Sequence, residues 1–148
     1  MIIRVISSED TYPLRHKILR PHRPYLEIVY DTDHELDTFH IGAYINGGLV
    51  GIVSFNKDNL EDFPGAHYRL RAMAVLPEYR KNNIGRKIVE YGISLLKEKS
   101  VNLVWCKGRV NVQGYYEQIG FMSYGETFDY PDLGAHIILY KELRKSEC

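Results

Sequence analysis

The residues best suited to chemistry lie in one short run, Glu78-Tyr79-Arg80-Lys81-Asn82-Asn83-Ile84-Gly85. Arg80 and Lys81 bring positive charge. The two asparagines can cap a helix or take positive φ, and Gly85 lets another group approach the backbone. If the run joins a strand to a helix N-terminus, unpaired N–H groups and the positive end of the helix dipole favour an anion, a phosphate or pyrophosphate. An ordinary capped strand-to-helix turn uses the same residues, and the turn alone leaves both readings open. A nucleotide P-loop is excluded because no Gly-Lys-Ser/Thr is present.

The flanking sequence supplies the strand and the helix. Tyr68 to Leu76 is a strand-like mixture of apolar and basic residues, ended by Pro77, which offers no ladder donor and biases its predecessor away from helix. From Ile84 the apolar positions Ile84, Ile88, Tyr91 and Leu95, with Val89, Gly92 and Leu96 alongside, follow the three-to-four spacing of a helix burying one stripe. Val101 to Cys106 then reads as an apolar strand. A strand, helix and strand in one sheet must cross over, which makes the two strands parallel neighbours.

Upstream, Met1 to Ile6 reads as a strand, and Ser8-Glu9-Asp10 as a helix start that Pro13 interrupts, so that the helix could instead begin at Pro13. It must end before Pro21. Tyr25 to Asp37 carries clustered acids without a clean period and reads as a loop, with room for a helical turn, whose charges are solvated. Thr38 to Ile45 and Leu49 to Asn56 form a hairpin about Asn46-Gly47-Gly48, and Lys57 to Gly65 is a second loop. Downstream, Asn111 to Ile119 is a short helix stopped at Gly120, and Phe121 to Glu126 pairs with Ala135 to Leu143 across a turn-rich 129–134 segment. Arg144 to Cys148 is a polar tail.

The 148 residues, 45% apolar and 26% charged, describe one globular domain spanning 1–148. Lys plus Arg and Asp plus Glu both number 19, so net charge argues for neither a nucleic-acid partner nor an anionic membrane. The two cysteines, Cys106 and Cys148, form no disulfide framework or metal-ligand spacing. With no apolar signal segment, they point to a reducing cytoplasm and to no metal. Cys106 reads as a small apolar filler.

Two runs carry a resemblance. Val75-x-Pro77-x-Tyr79-Arg80-x-x-Asn83-Ile84-Gly85 resembles the acetyl-CoA signature of the GCN5-related N-acetyltransferase (GNAT) superfamily, with Asn83 where the family has glycine. Arg109-x-Asn111-x-x-Gly114-Tyr115-Tyr116-x-x-x-Gly120-Phe121 is similar to its second cofactor-side motif, with Gly114 for the more usual Ala. The resemblance implies an α+β acyl-CoA N-acyltransferase fold, a mixed and mostly antiparallel sheet of about six or seven strands with about four helices, whose central parallel strands splay. It implies acetyl-CoA as co-substrate and transfer of its acetyl group directly to a primary amine. The runs Leu14 to Pro21 and Asp37 to Tyr44 resemble those of bacterial small-molecule members and imply a small-molecule acceptor, and a homodimer is left open. By the same resemblance the backbone of Met73, Ala74 and Val75 holds the pantetheine arm, with the Val75 N–H at the thioester oxygen. The backbone of Arg80, Lys81, Asn82, Asn83, Ile84, Gly85 and Arg86 holds the pyrophosphate, and Asn111 reaches the pantetheine side. Tyr116 stands where many members place the acid for the departing thiolate, although one of twelve tyrosines is poor support without its motif. Glu27 and His40 are candidates for the amine side. The general base is not identified; His40, Glu27, Glu126 or a water chain could each serve. The rival reading is a non-catalytic acyl-CoA-binding or regulatory module of the same shape.

Overall fold

The computed structural model describes residues 1–131 and 133–143. Asp132, in the expected turn, and the expected tail from Arg144 with its Cys148 lie outside the described residues. Internal contacts divide the chain into two compact units, Met1–Lys57 with Leu70–Leu95, and Asp58–Arg69 with Leu96 onward.

In the first unit, β1 (Ile2–Ile6) pairs antiparallel with β2 (Phe39–Ile45), and β2 with β3 (Gly48–Lys57). The β2–β3 turn places Asn46 and Gly47 at φ 50 and 81°, the two left-handed positions that a tight hairpin turn requires and that Asn-Gly tolerates. Helix α1 (Ser8–Leu14) is capped by Ser7, whose hydroxyl accepts from the Asp10 N–H at 3.2 Å. Pro13 therefore lies inside the helix rather than opening it. Its missing N–H is followed by a wider π turn over Arg15–Leu19, a local adjustment of the kind proline provokes.

Helix α2 (Ile84–Glu98) buries Ile84, Ile88, Val89, Gly92, Ile93 and Leu96, whereas Tyr91 is 36% exposed and Leu95 only half-buried. The apolar stripe is rotated from its expected position. The reason lies at Gly92, where a side chain would meet the ring of Phe55 on β3, so this bare position is the one that faces the sheet. The helix ends with Ser100 at φ 61°, Ser100 N–H on the Lys97 carbonyl and Val101 N–H on that of Leu96, both at 3.1 Å. This capping arrangement consumes Val101, and the following strand starts two residues later than expected.

In the second unit, the first residues of β4 (His67–Val75) pair in parallel with β5 (Leu103–Arg109), from His67 opposite Leu103 to Arg69 opposite Trp105. Among the described residues this parallel ladder extends no further along either strand. Strand β5 pairs antiparallel with β7 (Gly134–Glu142), and β7 with β6 (Met122–Tyr130), with an irregularity between Tyr124 and Phe128. A short helix α3 (Gln113–Gln118) follows a 3-10 turn at Val110–Val112, and Gly120 at φ 98° stops it. The 58–66 loop is fastened by Trp105 Nε1 donating to the Asp58 carbonyl at 2.7 Å. It is held again by His67, whose Nδ1 accepts from Leu60 N–H at 2.9 Å. Across the described residues the sheet has seven strands in the order β1-β2-β3-β4-β5-β7-β6, and three α-helices accompany it.

Candidate active site

The donor-rich run forms a strand-to-helix turn in the first unit. After β4, Leu76 N–H reaches the Val50 carbonyl at 2.9 Å, and Pro77–Tyr79 make one 3-10 turn. Arg80 curls back, its Nε donating to the Val75 carbonyl at 3.0 Å. Lys81 and Asn83 then adopt φ values of 73 and 59°. These left-handed residues turn the chain sharply into α2. The Asn83 carbonyl accepts from Lys87 N–H at 3.0 Å, which makes it the residue that opens the helix. The N–H groups of Ile84, Gly85 and Arg86 thus fall in the first turn, where no intrahelical acceptor exists. Lys81, Arg86 and Lys87 are exposed around them, so positive charge, open donors and the helix dipole coincide.

Upstream of the turn, Ala72 has φ 55° in the middle of β4. A non-glycine residue in this region is strained, and such strain persists where the surroundings over-determine it, often beside functional groups. The irregularity immediately precedes Met73, Ala74 and Val75; the last two are buried. Neither it nor Lys81 carries a sequence signal.

In the second unit, Tyr116 is buried on α3, its ring edge-on to Tyr115 and to Phe121 at centroid separations of 5.4 Å in each case. Burial, reinforced by the Cys106 thiol and Tyr115, pushes its phenol well above the ordinary tyrosine range. A phenol in that state holds its proton more firmly than an ordinary tyrosine does. Asn111 is exposed in the 3-10 turn preceding α3, and a side chain at Gly114 would meet open space. Cys106 is buried, and desolvation pushes its thiol up to about 12, as befits an unreactive filler. Residues Met73 to Arg86 therefore share one unit, while Asn111 and Tyr116 belong to the other.

The two amine-side candidates have different fates. Glu27 is half-exposed and faces Arg23 at 3.8 Å. His40 is buried, with Nδ1 2.7 Å from Ser54 Oγ and Nε2 3.2 Å from the Asp33 carbonyl. That carbonyl needs a donor, so Nε2 carries the proton and Nδ1 accepts from the Ser54 hydroxyl. Desolvation lowers the His40 pKa; the Asp33 carbonyl opposes this, and the nearby Arg15 charge adds to it.

His40 is one end of a network invisible in the sequence. Arg15 is fully buried and donates to Asp33 through both terminal nitrogens at 2.7 and 2.8 Å, to the Ile28 carbonyl at 2.9 Å and to Ser54 Oγ at 2.9 Å. Burial alone would raise the Asp33 pKa, but the Arg15 hydrogen bonds, the Tyr30 N–H and the Arg15 charge bring it below the usual range. Asp33 is thus an internal anion and not part of a solvated loop. A basic residue near a helix end and an acid in a loop eighteen positions later give no periodic signal of pairing.

The family model described as Acetyltransferase (GNAT) family matches residues 5–121. A Bacillus subtilis (strain 168) protein bearing the name uncharacterized N-acetyltransferase YitI is 41% identical over 145 residues, covering 97% of each chain. Among solved structures, an aminoglycoside 6'-N-acetyltransferase complexed with coenzyme A superposes with a TM-score of 0.78 at 14% identity over 100% of both chains. Escherichia coli ElaA superposes with a TM-score of 0.77 at 18% identity, over 96% of this chain and 100% of that one.

Proposed function

This chain belongs to the acetyltransferase (GNAT) family, and from that premise we propose that it moves the acetyl group of acetyl-CoA directly to the primary amine of a small molecule. The observation that carries the reading is the turn into α2. Left-handed Lys81 and Asn83 bring the open N–H groups of Ile84, Gly85 and Arg86 together with basic side chains, a constellation suited to the pyrophosphate of an acyl-CoA.

In this reading the backbone of Met73 to Val75 holds the pantetheine arm, and the Val75 N–H receives the negative charge that develops on the thioester oxygen. The amine attacks in its neutral form; the carbon–sulfur bond breaks as the carbon–nitrogen bond forms. Tyr116, whose phenol carries its proton at neutral pH as any tyrosine does, delivers that proton to the departing thiolate and is a donor rather than a base. Asn111 contributes a polar side chain to the pantetheine. Site residues keep the roles that the family motifs give them; with both His40 nitrogens engaged, Glu27, Glu126 and a water chain remain as the routes for the amine proton.

The test is release of free thiol from acetyl-CoA in the presence of spermidine, kanamycin, glucosamine, tyramine or a peptide with one free lysine. Kanamycin enters because a structural neighbour is an aminoglycoside acetyltransferase. Turnover of a small amine over the peptide supports the reading. Tight acetyl-CoA binding without turnover of any amine would replace it with a binding module. In the same samples, acetyl-CoA at a hundredfold excess over its Kd should stabilise the fold by about 2.7 kcal/mol, with ATP nearly silent.

A further inference from the structure

Tyr30 links the Arg15 network to the strand that carries the thioester role. Its ring has the Arg15 guanidinium carbon 4.2 Å from its centroid and that of Arg71 at 4.0 Å, both within cation–π range. Arg71 lies directly before the left-handed Ala72 and two positions before Met73. Segment 28–33 is tied at several points. The Ile28 carbonyl and Asp33 carboxylate take Arg15, the Tyr30 N–H donates to Asp33 Oδ2 at 2.8 Å, and the Asp33 carbonyl takes His40. All of these residues lie in one unit.

The ion pair is not the cheapest way to fill this space. Arg15 Nε is buried with no partner among the described residues, and matched apolar side chains commonly stabilise a core as well as a buried ion pair does. What the fork supplies is direction, because one planar group fixes a carbonyl, a carboxylate and an aromatic ring in a single geometry.

We propose that Arg15 is a positioning residue for the acceptor side of the site, holding residues 28–33 so that Tyr30 stands against Arg71 beside the Met73–Val75 run. This rests on the acetyl-transfer reading. Arg15 touches neither substrate; it acts through Tyr30, whose ring, set against the strand, limits where an amine can lie when it meets the thioester.

The experiment pairs Arg15→Met with Asp33→Asn in one full-length variant, which removes both charges while nearly keeping volume and the acceptor for the Tyr30 N–H, and compares it with Arg15→Lys and Tyr30→Leu. Three quantities are read for each: amide exchange over 28–33, acetyl-CoA Kd, and steady-state kinetics with the five amines named above. In the double variant the fold and acetyl-CoA Kd should hold while exchange over 28–33 accelerates by about tenfold or more. The amine KM should rise by about tenfold to a hundredfold, the scale on which a 1 Å misplacement acts. Tyr30→Leu should raise the same KM, and combining it with the double variant should add little, since both act through one ring. Arg15→Lys, which keeps charge but loses the fork, should resemble the double variant in KM. Unchanged exchange would overturn the proposal, and so would faster exchange with unchanged KM. If the unaltered protein acetylates none of the five amines, the function reading itself has failed, and that outcome is visible before any variant is made.

Discussion

Substituting Gly92 by alanine tests the packing that orients α2, and its sign is opposite to ordinary expectation. On an exposed helix surface, Gly to Ala stabilises by roughly 1 kcal/mol through propensity. Here the added methyl would lie 2.2 Å from Phe55 Cε2 and 2.4 Å from Cζ. Phe55 cannot yield easily, because it is fully buried and stacked on Phe39 with centroids 5.1 Å apart and planes 17° apart. Overpacking of a close-packed core costs about 1–3 kcal/mol or more, and contacts this short belong at the upper end. Subtracting the propensity gain leaves a net loss of about 2 kcal/mol, or about 4–8 °C in Tm for a chain of this size. Gly114→Ala is the matched control, since its methyl would meet nothing within 4 Å on α3. It should hold Tm or raise it, through a stabilisation of up to about 1 kcal/mol. Thermal melts of the two variants, with Phe55→Leu added to Gly92→Ala to relieve the clash, decide the matter. A Gly92→Ala protein that melts higher than the parent would refute the reasoning, because α2 would then not face β3 through this position.

Further outcomes follow from the site. At Asn83, with φ 59°, glycine should preserve or tighten acetyl-CoA binding, whereas β-branched Val should weaken both binding and stability; equal Kd values for the two variants would contradict the turn geometry. Tyr116→Phe should leave acetyl-CoA Kd nearly unchanged and lower kcat by at least about tenfold, within the range of general acid catalysis. Tyr115→Phe should have little effect, and a reversal of the two would move the acid to Tyr115. The His40 pKa is lowered in the folded state, so the unfolded chain binds more protons just below pH 6.5. Stability that is complete above the unfolded value should therefore fall as pH drops from about 6.5 toward the folded value. Asp33, also lowered, should add a further loss only below about pH 4. Melts across pH 4–8 should show the first decline in the parent and a flatter profile in His40→Gln.

The strand-to-helix unit and the hairpin were legible because their signals are local. Asn46-Gly47 encodes its own turn, Pro77 ends its strand, and Asn83 is the residue type that tolerates the left-handed conformation it adopts. Three features were not legible, and each depends on contacts distant in sequence. Which side of α2 faces inward is settled by Phe55 against Gly92, which exposes Tyr91 despite its place in the apolar period. Ala72 is forced to positive φ within a strand by its surroundings, for alanine itself has no such preference. Asp33 looked like one more acid among Glu27, Asp31, Glu35 and Asp37, and only the fold brings it to Arg15. Tyr116 and Asn111 stand out in the sequence solely as members of a spaced motif, because residue type alone does not distinguish them.

The interleaving of the two compact units governs how the chain can be built. The first needs Met1–Lys57 together with Leu70–Leu95, and the second takes up the intervening Asp58–Arg69 only with partners from beyond Leu96. During synthesis, the first unit thus has its full complement only once Leu95 has emerged, and the 58–69 segment then waits for β5, whose Leu103–Trp105 must close against His67–Arg69. Such distant closures slow folding and lengthen the exposure of apolar strands. A continuous fragment ending near Leu95 would carry Leu60, Phe63 and Tyr68 without Leu103, Trp105 or Ile138 to cover the cluster that Leu60 and Phe63 join. Chain termination there therefore leaves an aggregation-prone product rather than an independently folding half.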